Sequence, residues 1–472
     1  MGRIGLGLLA GLLWGAAARA EDAPTAEDLA RRNAELERRV RALEESALQE
    51  TIEEYLADSR TEVAAEGAQG LLPGGLGLRI SGQVRIRGEV QDHLYSPAAS
   101  PTANPDGSRS FEFAHMRTRL RFDVDVAENL GVVIELQDIR NFGEEGSTTG
   151  DLQGVDVKRA QILFHNVFGR PVTAEVGRFV MHYGDHRIIG DLEWFDQGRS
   201  YDGARLSYST DRGFLDFFAV KVRETVFPAD DRHFLGLYGG LTRETVTVEG
   251  YVIWLADQRA AMGEVASDDT SFVTLGTRFQ GSRGALGSVI EAAVQTGGVR
   301  GDDLTAWAIV ARGTCTFEDA RWRPRILVEI AFATGNEAPG DGDTEQFQVL
   351  FPTNHLHYGY ADLAAWSNIF NVRAGVSLTP REHWTVTIDF HHLQLADEDG
   401  GWVNAGGATI QPGAPGADTD LGTEIDLTVA HKPSKSLAFL FGWSVFFPGG
   451  FVEDTGRALT AQFIYLQVHT RF

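Results

Sequence analysis

The sequence predicts an all-β fold, a transmembrane antiparallel β-barrel of about eighteen strands preceded by a short N-terminal α-helical or coiled-coil segment. Three observations lead to this prediction. The chain begins with an export-signal pattern, and most of it consists of segments of about ten residues in which apolar and polar side chains alternate. The connections between these segments are alternately short and long, as in outer-membrane barrels, and an even strand number lets the sheet close.

The bulk composition excludes several other classes of protein. Hydrophobic residues make up 43% of the chain, which argues against disorder and against a helical membrane bundle. No apolar run reaches the roughly 20 residues that a spanning helix needs. The single cysteine, Cys315, cannot form an intrachain disulfide, and the net charge of −24 argues against nucleic acid as a partner. We expect no cofactor.

Residues 1–20 have the pattern of a signal peptide. Arg3 provides the positive end, an apolar stretch follows, and Ala18-Arg19-Ala20 forms an A-x-A motif for cleavage between Ala20 and Glu21. The apolar stretch is too short to span a membrane as a helix. The sequence therefore predicts an exported protein whose mature chain begins near Glu21.

The segment 21–60 has a different pattern, which predicts a periplasmic helix. Leu29, Leu36 and Leu43 recur every seven residues with charged residues on the flanks, the pattern of a coiled coil. Because the pattern is short, both a single amphipathic helix and a short self-associating coil fit it. Residues 61–77 are small, contain several glycines and lack a pattern, so they are predicted to be a linker.

The predicted barrel extends over residues 78–472. Its first strand, "LRISGQVRIRGEVQ" (78–91), alternates between one apolar and one charged face. The last strand, "FIYLQVHTRF", alternates in the same way and ends in Phe472, similar to the C-terminal signal by which outer-membrane barrels are recognised for insertion. In a barrel of this kind the apolar faces contact lipid and the charged faces line the lumen.

The first hairpin is expected to bring like charges together. When the loop 92–110 closes the hairpin, Arg85 lies beside Arg117 or Arg119, and Arg87 lies beside His115 or Arg117. Like charges opposite each other are unfavourable, so this cluster needs a compensating interaction. Two explanations remain open: ion pairs with acidic residues across the lumen, or an anion-binding constriction.

Further basic residues are expected to add to the positive electrostatic field of the first hairpin. Lys158, Arg159, Arg178 and Arg205 lie on later predicted strands, and Arg187 and Arg199 lie in the long loop between two of them. The excess of acidic residues falls in the long loops. Because fields decay over roughly 8–10 Å at physiological salt, an acidic rim does not cancel a basic interior.

A catalytic site is the weakest of the alternatives. The stretch "HYGDHRIIGDLEW" offers His182, Asp185, His186, Asp191 and Glu193, and the two histidines are four residues apart. That spacing brings metal ligands together on a helix, but two glycines mark this stretch as a loop. No zinc-binding spacing and no serine nucleophile motif is present in the sequence, so we do not expect an enzyme.

Three long motifs resemble the alginate export family of outer-membrane β-barrels. They are residues 176–206, "VGRFVMHYGDHRIIGDLEWFDQGRSYDGARL", residues 347–366, "FQVLFPTNHLHYGYADLAAW", and residues 421–456. The resemblance implies an eighteen-stranded monomeric barrel with a narrow, arginine-rich lumen that conducts a polyuronate passively. It implies that several of the following residues bind carboxylates of the polymer: Arg85, Arg87, Arg117, Arg119, Arg121, Lys158, Arg159, Arg178, Arg187, Arg199 and Arg205.

The expected function is therefore passive export of an anionic, alginate-like polysaccharide through the outer membrane of a Gram-negative-type bacterium, with the N-terminal segment in the periplasm. The alternative is a general or anion-selective uptake porin that the N-terminal coil oligomerises or anchors. The expected partners are outer-membrane lipid, the polysaccharide and the barrel-insertion machinery at the last strand. Periplasmic export partners, or a second copy of the chain, would contact residues 25–60.

Overall fold

The structure is a computed structural model that describes residues 68–72, 76–95, 108–144, 154–223, 231–257, 270–456 and 458–472. The predicted signal peptide, its cleavage site between Ala20 and Glu21, and the predicted helix at 21–60 lie outside the described residues.

Eighteen antiparallel strands form a closed barrel, as predicted. In chain order, they are β1 (Leu76–Tyr95), β2 (Ser108–Ala127), β3 (Leu130–Asn141), β4 (Asp156–Phe164), β5 (Val172–Phe179), β6 (Tyr201–Thr210), β7 (Gly213–Arg223), β8 (Arg232–Arg243), β9 (Val246–Asp257), β10 (Thr270–Arg283), β11 (Leu286–Val299), β12 (Asp302–Thr316), β13 (Arg325–Ala333), β14 (Ile369–Arg381), β15 (Trp384–Gln394), β16 (Asp420–Ser434), β17 (Leu437–Pro448) and β18 (Ala461–Arg471).

The barrel closes between its first and last strands. β1 pairs with β2 on one edge and with β18 on the other, where Gln83 lies opposite Arg471. At the end of this seam, Gly82 and Phe472 exchange two backbone hydrogen bonds, with N···O distances of 2.9 and 3.0 Å. The closed sheet therefore leaves no free strand edge along the seam.

The apolar face of the strands is the outer surface. Along β1, Ile86 and Val90 are 40% and 44% exposed, whereas Arg85 and Arg87 on either side of Ile86 are buried. Apolar side chains also face outward along the other strands, whereas the inward face carries polar side chains on some strands and buried apolar ones on others. An apolar outer surface is typical of a membrane barrel, and the arginine face of β1 is the inside.

The connections alternate in length as predicted, with one exception. On the side of the C-terminus the turns are short, and they comprise residues 128–129, 165–171, 211–212, 244–245, 284–285, 317–324, 382–383 and 435–436. The connections at the other end are mostly long. The exception is the connection at "RGDD" (300–303), because Arg300 and Gly301 alone join β11 to β12. Both residues have a positive φ, 54° and 99°, as a tight hairpin turn requires.

The predicted linker at 61–77 also differs from the structure. Ala68–Leu72 forms a strand that pairs antiparallel with the start of β1, with Ala68 opposite Ile80 and Leu72 opposite Leu76. The barrel sheet consequently begins at Leu76 rather than at residue 78.

Small elements complete the described chain. A short helix, α1 (Gly450–Thr455), follows β17, a two-stranded ribbon joins Trp402–Val403 to Thr409–Gln411, and Asp343–Thr344 pairs with the start of β12. Within the described ranges, no helix is long and apolar enough to cross a membrane.

Two of the long connections are folded into the barrel. The first, which we call the crossing segment, comprises residues 180–200, and the second inward segment comprises residues 334–368. Both contain many buried side chains, including Trp194, Tyr358 and Trp366, and they form the apolar core together with inward-facing residues of the strands. The two segments determine which lumen side chains meet each other.

Candidate anion-binding lumen

The first hairpin has one of the registers that the sequence predicted. Arg85 lies directly opposite Arg117, and Arg87 lies opposite His115. Arg119 follows on the inner face of β2, and Lys158 faces the same region from β4. We call Arg85, Arg87, Arg117, Arg119 and Lys158 the basic wall; each is no more than 5% exposed.

Two carboxylates of the crossing segment contact the basic wall. Glu193 lies 2.9 Å from Arg117, 2.6 Å from Arg119 and 3.8 Å from Lys158. Asp196 lies 2.5 Å from Arg85 and also contacts His115. Guanidinium groups bind carboxylates in this way because their N–H donors match the two oxygens. The like charges of the first hairpin are therefore compensated from inside the lumen.

The basic wall also binds the backbone around these carboxylates. Arg85 donates to the carbonyl oxygen of Glu193 at 2.7 Å, and Arg87 donates to that of Trp194 at 2.9 Å. The Arg87 guanidinium lies over the Trp194 ring, 4.0 Å from its centroid. Lys158 donates to the carbonyl oxygen of Gln197 at 2.9 Å. The wall thus presents donors both to charged and to neutral oxygen atoms.

The basic wall keeps the two carboxylates ionised. Burial alone would raise the pKa of Glu193, but Arg119, Arg117 and Lys158 hold this pKa well below its ordinary value. The pKa of Asp196 is also lowered: burial opposes the shift, and the contacts with His115 and Arg85 outweigh it. Both groups are therefore anions throughout the physiological pH range.

The other half of the crossing segment is held by the opposite side of the barrel. Asp185 contacts Arg278 of β10 and lies 2.6 Å from Arg312 of β12. Arg187 lies 2.5 Å from Glu329 of β13 and donates to the Tyr358 hydroxyl at 2.9 Å. Because β1–β4 and β10–β13 are well separated around the ring of eighteen strands, the segment crosses the lumen from wall to wall.

The second inward segment supports the crossing segment along its middle. The backbone N–H of Gly190 donates to Phe351 at 2.7 Å, and that of Thr353 donates to His186 at 2.8 Å. Arg199 donates to the carbonyl oxygens of Gly190 and Pro352 at 2.7 and 3.0 Å. Arg199, one of the residues predicted to bind the polymer, therefore donates to backbone carbonyl oxygens of the two inward segments.

Three more of the predicted arginines face the interior and are paired with acids. Their pairs are Arg121 with Asp123 at 2.8 Å, Arg159 with Glu135 at 2.9 Å and Arg205 with Glu175 at 2.7 Å. All three retain partial exposure, with 17% to 23% of the side chain accessible. They lie along the wall of β2 to β6, and Arg205 also interacts with Tyr183 of the crossing segment.

The assignment of Arg178 to the lumen is wrong. On β5 the outward positions include Val176, which is 48% exposed, and Arg178 shares its parity. Arg178 pairs with Asp202 across the strands at 2.9 Å, and the two side chains are 38% and 55% exposed. Since alternate residues of a strand point to opposite faces, Arg178 lies on the outside of the barrel.

A group of buried acids escaped the prediction. Asp389 lies directly opposite Asp426 on β15 and β16, and Glu424 follows on the same face. Arg373 of β14 lies 2.9 Å from Asp389, and Glu424 accepts a hydrogen bond from the backbone N–H of Ala361 at 2.8 Å. The alternation of "GTEIDLTVAH" places Glu424 and Asp426 on the same face of β16. Their inward orientation could therefore have been predicted from the sequence.

The histidines considered for catalysis lie in the crossing segment. The rings of His182 and His186 stack with a centroid distance of 4.6 Å, and His186 lies 3.4 Å from Asp191. Among the described residues, no group of three or more His, Cys, Asp or Glu side chains has the geometry to hold a metal ion. The stacked pair is therefore part of the packing of the inward segments.

Comparisons with known proteins agree with this architecture. The alginate export family model matches residues 78–464. No curated protein matches the sequence significantly. Among solved structures, the chain is similar to three Pseudomonas aeruginosa proteins. OccD3 (OpdP) has a TM-score of 0.57 at 11% identity, covering 89% of this chain and 98% of that one.

The other two are OccK2 (OpdF) in complex with glucuronate and OccK11 (OpdR). Their TM-scores are 0.55 and 0.53 at 11% and 14% identity; the matches cover 86% and 84% of this chain and 99% and 96% of those chains. These low identities show the fold alone. The family match covers most of the chain, and the protein therefore belongs to the alginate export family of outer-membrane channel barrels.

Proposed function

We propose that this protein conducts an acidic, alginate-like polyuronate passively out of the cell through its lumen. One observation supports this proposal most directly: the inner faces of β1, β2 and β4 carry the basic wall, and its donors contact the carboxylates of Glu193 and Asp196 and nearby backbone carbonyl oxygens. A uronate polymer offers the same two kinds of acceptor, a carboxylate on each unit and uncharged hydroxyl oxygens beside it.

The spread of basic residues suits movement better than tight binding. Arg121, Arg159 and Arg205 extend the basic surface beyond the wall, each with a carboxylate partner of its own. Many weak and similar sites let a polymer pass from one to the next, whereas a single strong site would retain it. Synthesis of the polymer and periplasmic partners would supply the driving force.

Conductance through a planar bilayer tests the proposal. We expect anion selectivity and block by oligouronates but not by neutral oligosaccharides. The triple variant R85S, R117S and R119S is expected to lose that selectivity. Because it leaves Glu193 with Lys158 and Asp196 with His115 as partners, a second variant adds E193Q and D196N to remove the two acids as well. Anion selectivity that survives in both variants would disprove the role of the basic wall.

Uptake of small acidic solutes is the second candidate function. The crossing segment and the second inward segment narrow the lumen, which favours a solute over a polymer. The similarity in fold to OccK2, which was solved with glucuronate, agrees with such a role. Liposome swelling separates the two: uptake predicts permeation by monomeric uronates, whereas export predicts block by oligouronates with little permeation by the monomer.

The N-terminal segment would lie in the periplasm and contact either a second copy of the chain or an export partner. Cross-linking of the protein with and without residues 21–70 tests self-association. We expect oligomers only when the segment is present. Identical cross-linking after the deletion would exclude a self-associating coil.

A further inference from the structure

We infer that the basic wall is a carboxylate-binding site whose resident ligand is the chain itself, and that a stretch of two or more uronate units binds by replacing Glu193 and Asp196. This inference rests on the proposed function and specifies how its substrate is recognised. It assigns the two acids as internal stand-ins for the carboxylates of neighbouring uronate units.

The contacts of the two acids support this assignment. Glu193 engages Arg117, Arg119 and Lys158, and Asp196 engages Arg85, so each carboxylate has a separate set of donors. The site thus accommodates two carboxylates at once. A ligand with a single carboxylate would replace only one of the two.

The neutral contacts complete the resemblance to a uronate chain. Donors of the wall reach the carbonyl oxygens of Glu193, Trp194 and Gln197 in addition to the carboxylates. Hydroxyl and ring oxygens of a saccharide can accept the same hydrogen bonds. A polymer therefore offers replacements for charged and uncharged partners of the wall alike.

The two halves of the crossing segment differ in what a polyanion can displace. In the half near the wall, both Glu193 and Asp196 are anions bound to cations, and an external carboxylate competes with them directly. The other half also contains an acid bound to wall arginines, Asp185 with Arg278 and Arg312. There, however, Glu249 binds Arg278 and Glu329 binds Arg187, and these acids of the barrel wall repel an incoming polyanion. We therefore expect exchange at the basic wall while the Arg187 end stays in place.

Equilibrium binding of purified, detergent-solubilised protein to labelled oligouronates tests the inference. In the variant E193Q/D196N the internal ligand no longer competes, so the affinity for a tri-uronate is expected to rise by about tenfold or more. The wild-type protein is expected to bind the tri-uronate more tightly than monomeric glucuronate. The matched control is D362N, a carboxyl of the second inward segment that pairs with His355 at 3.0 Å; its affinity should equal that of the wild type.

Each outcome decides between the alternatives. An unchanged or weaker affinity of E193Q/D196N, with binding by the wild type, overturns the inference and leaves the proposed function standing. If no variant binds oligouronates and anion selectivity also survives in R85S/R117S/R119S, both the inference and the proposed function are wrong. Heat-dependent migration in gels verifies that the barrels are folded. If the double variant does not fold, the single variant D196N replaces it, since the Asp196 side chain is 14% exposed. Its affinity for the tri-uronate must then rise, by less than in the double variant.

Discussion

The anchor of the crossing segment at Asp185 gives a prediction whose size follows from the structure. Asp185 contacts Arg278, lies 2.6 Å from Arg312 and accepts at its backbone carbonyl from His357 at 2.7 Å. In the variant D185N the buried carboxylate is lost while the shape is kept. Breaking a buried ion pair by removing one partner costs about 3–5 kcal/mol. We expect the lower end, about 3 kcal/mol, because Arg278 keeps Glu249 at 2.9 Å.

Hydrogen exchange followed by mass spectrometry measures this loss locally. The backbone N–H groups of Tyr183 and Gly190 are hydrogen-bonded within the inward segments, so their exchange reports opening of the crossing segment. A loss of about 3 kcal/mol corresponds to exchange about two orders of magnitude faster. The matched control is D202N, whose pair with Arg178 lies on the outer face of the barrel and, among the described residues, does not contact the crossing segment. Equal exchange in D185N and D202N would show that Asp185 does not hold the segment.

Three further predictions concern the seam, the pH dependence and the packing inside the barrel. G82V should reduce the fraction of folded barrel, which is measured by heat-dependent gel migration. A Cβ at Gly82 would lie 2.5 Å from the ring of Phe472 and 2.8 Å from a backbone oxygen of β2. A folded fraction equal to that of the wild type would contradict this prediction. Because the folded pKa of Glu193 is lowered, its ion pairs stabilise the protein above the ordinary value of 4.5 and are lost only when the pH falls through the lower folded pKa, so the conductance difference between the wild type and E193Q should stay constant from pH 7 to 4.5. A marked change of that difference within this range would show that Glu193 titrates normally. G276V should lower the thermal stability by about 1–3 kcal/mol, since its Cβ would lie 2.2 Å from the Tyr251 ring; an unchanged melting temperature would show that the ring moves freely.

The sequence predicted the strands and the first hairpin because alternation and charge both constrain them. A register shift of one residue would turn every apolar side chain of β1 into the lumen, so the pattern of "LRISGQVRIRGEVQ" leaves few choices. The same parity rule would have placed Arg178 correctly, since it continues the outward face of Val176. At β4 the rule is broken by an irregularity between Glu135 and Leu136 in the facing strand, and Lys158 is buried while Arg159 next to it still reaches Glu135.

The contents of the lumen could not be predicted in the same way. Loop length shows that a connection is long, but not whether it folds over the rim or into the barrel. Composition holds a partial signal: within the second inward segment, residues 346–366 contain a single charged residue, Asp362, whereas residues 334–345 before them and the crossing segment are rich in charges. A stretch of that length with one charge favours burial, but the crossing segment gives no such signal. The partners of Arg85 and Arg117 depend on how the crossing segment folds into the lumen, and no local sequence pattern predicts them.

The pairing inside the lumen would also reconcile the negative net charge of the chain with the anionic substrate that we propose. Five unpaired cations in a confined space of low dielectric would bind a polyanion too tightly for it to leave. Glu193 and Asp196 neutralise part of that field, so the free energy gained when an external carboxylate binds is reduced by that of the internal pair it breaks. Binding then exchanges an internal carboxylate for an external one, and the net free-energy change of each step is small. For passive conduction, this small free-energy change is more important than the sign of the net charge of the chain.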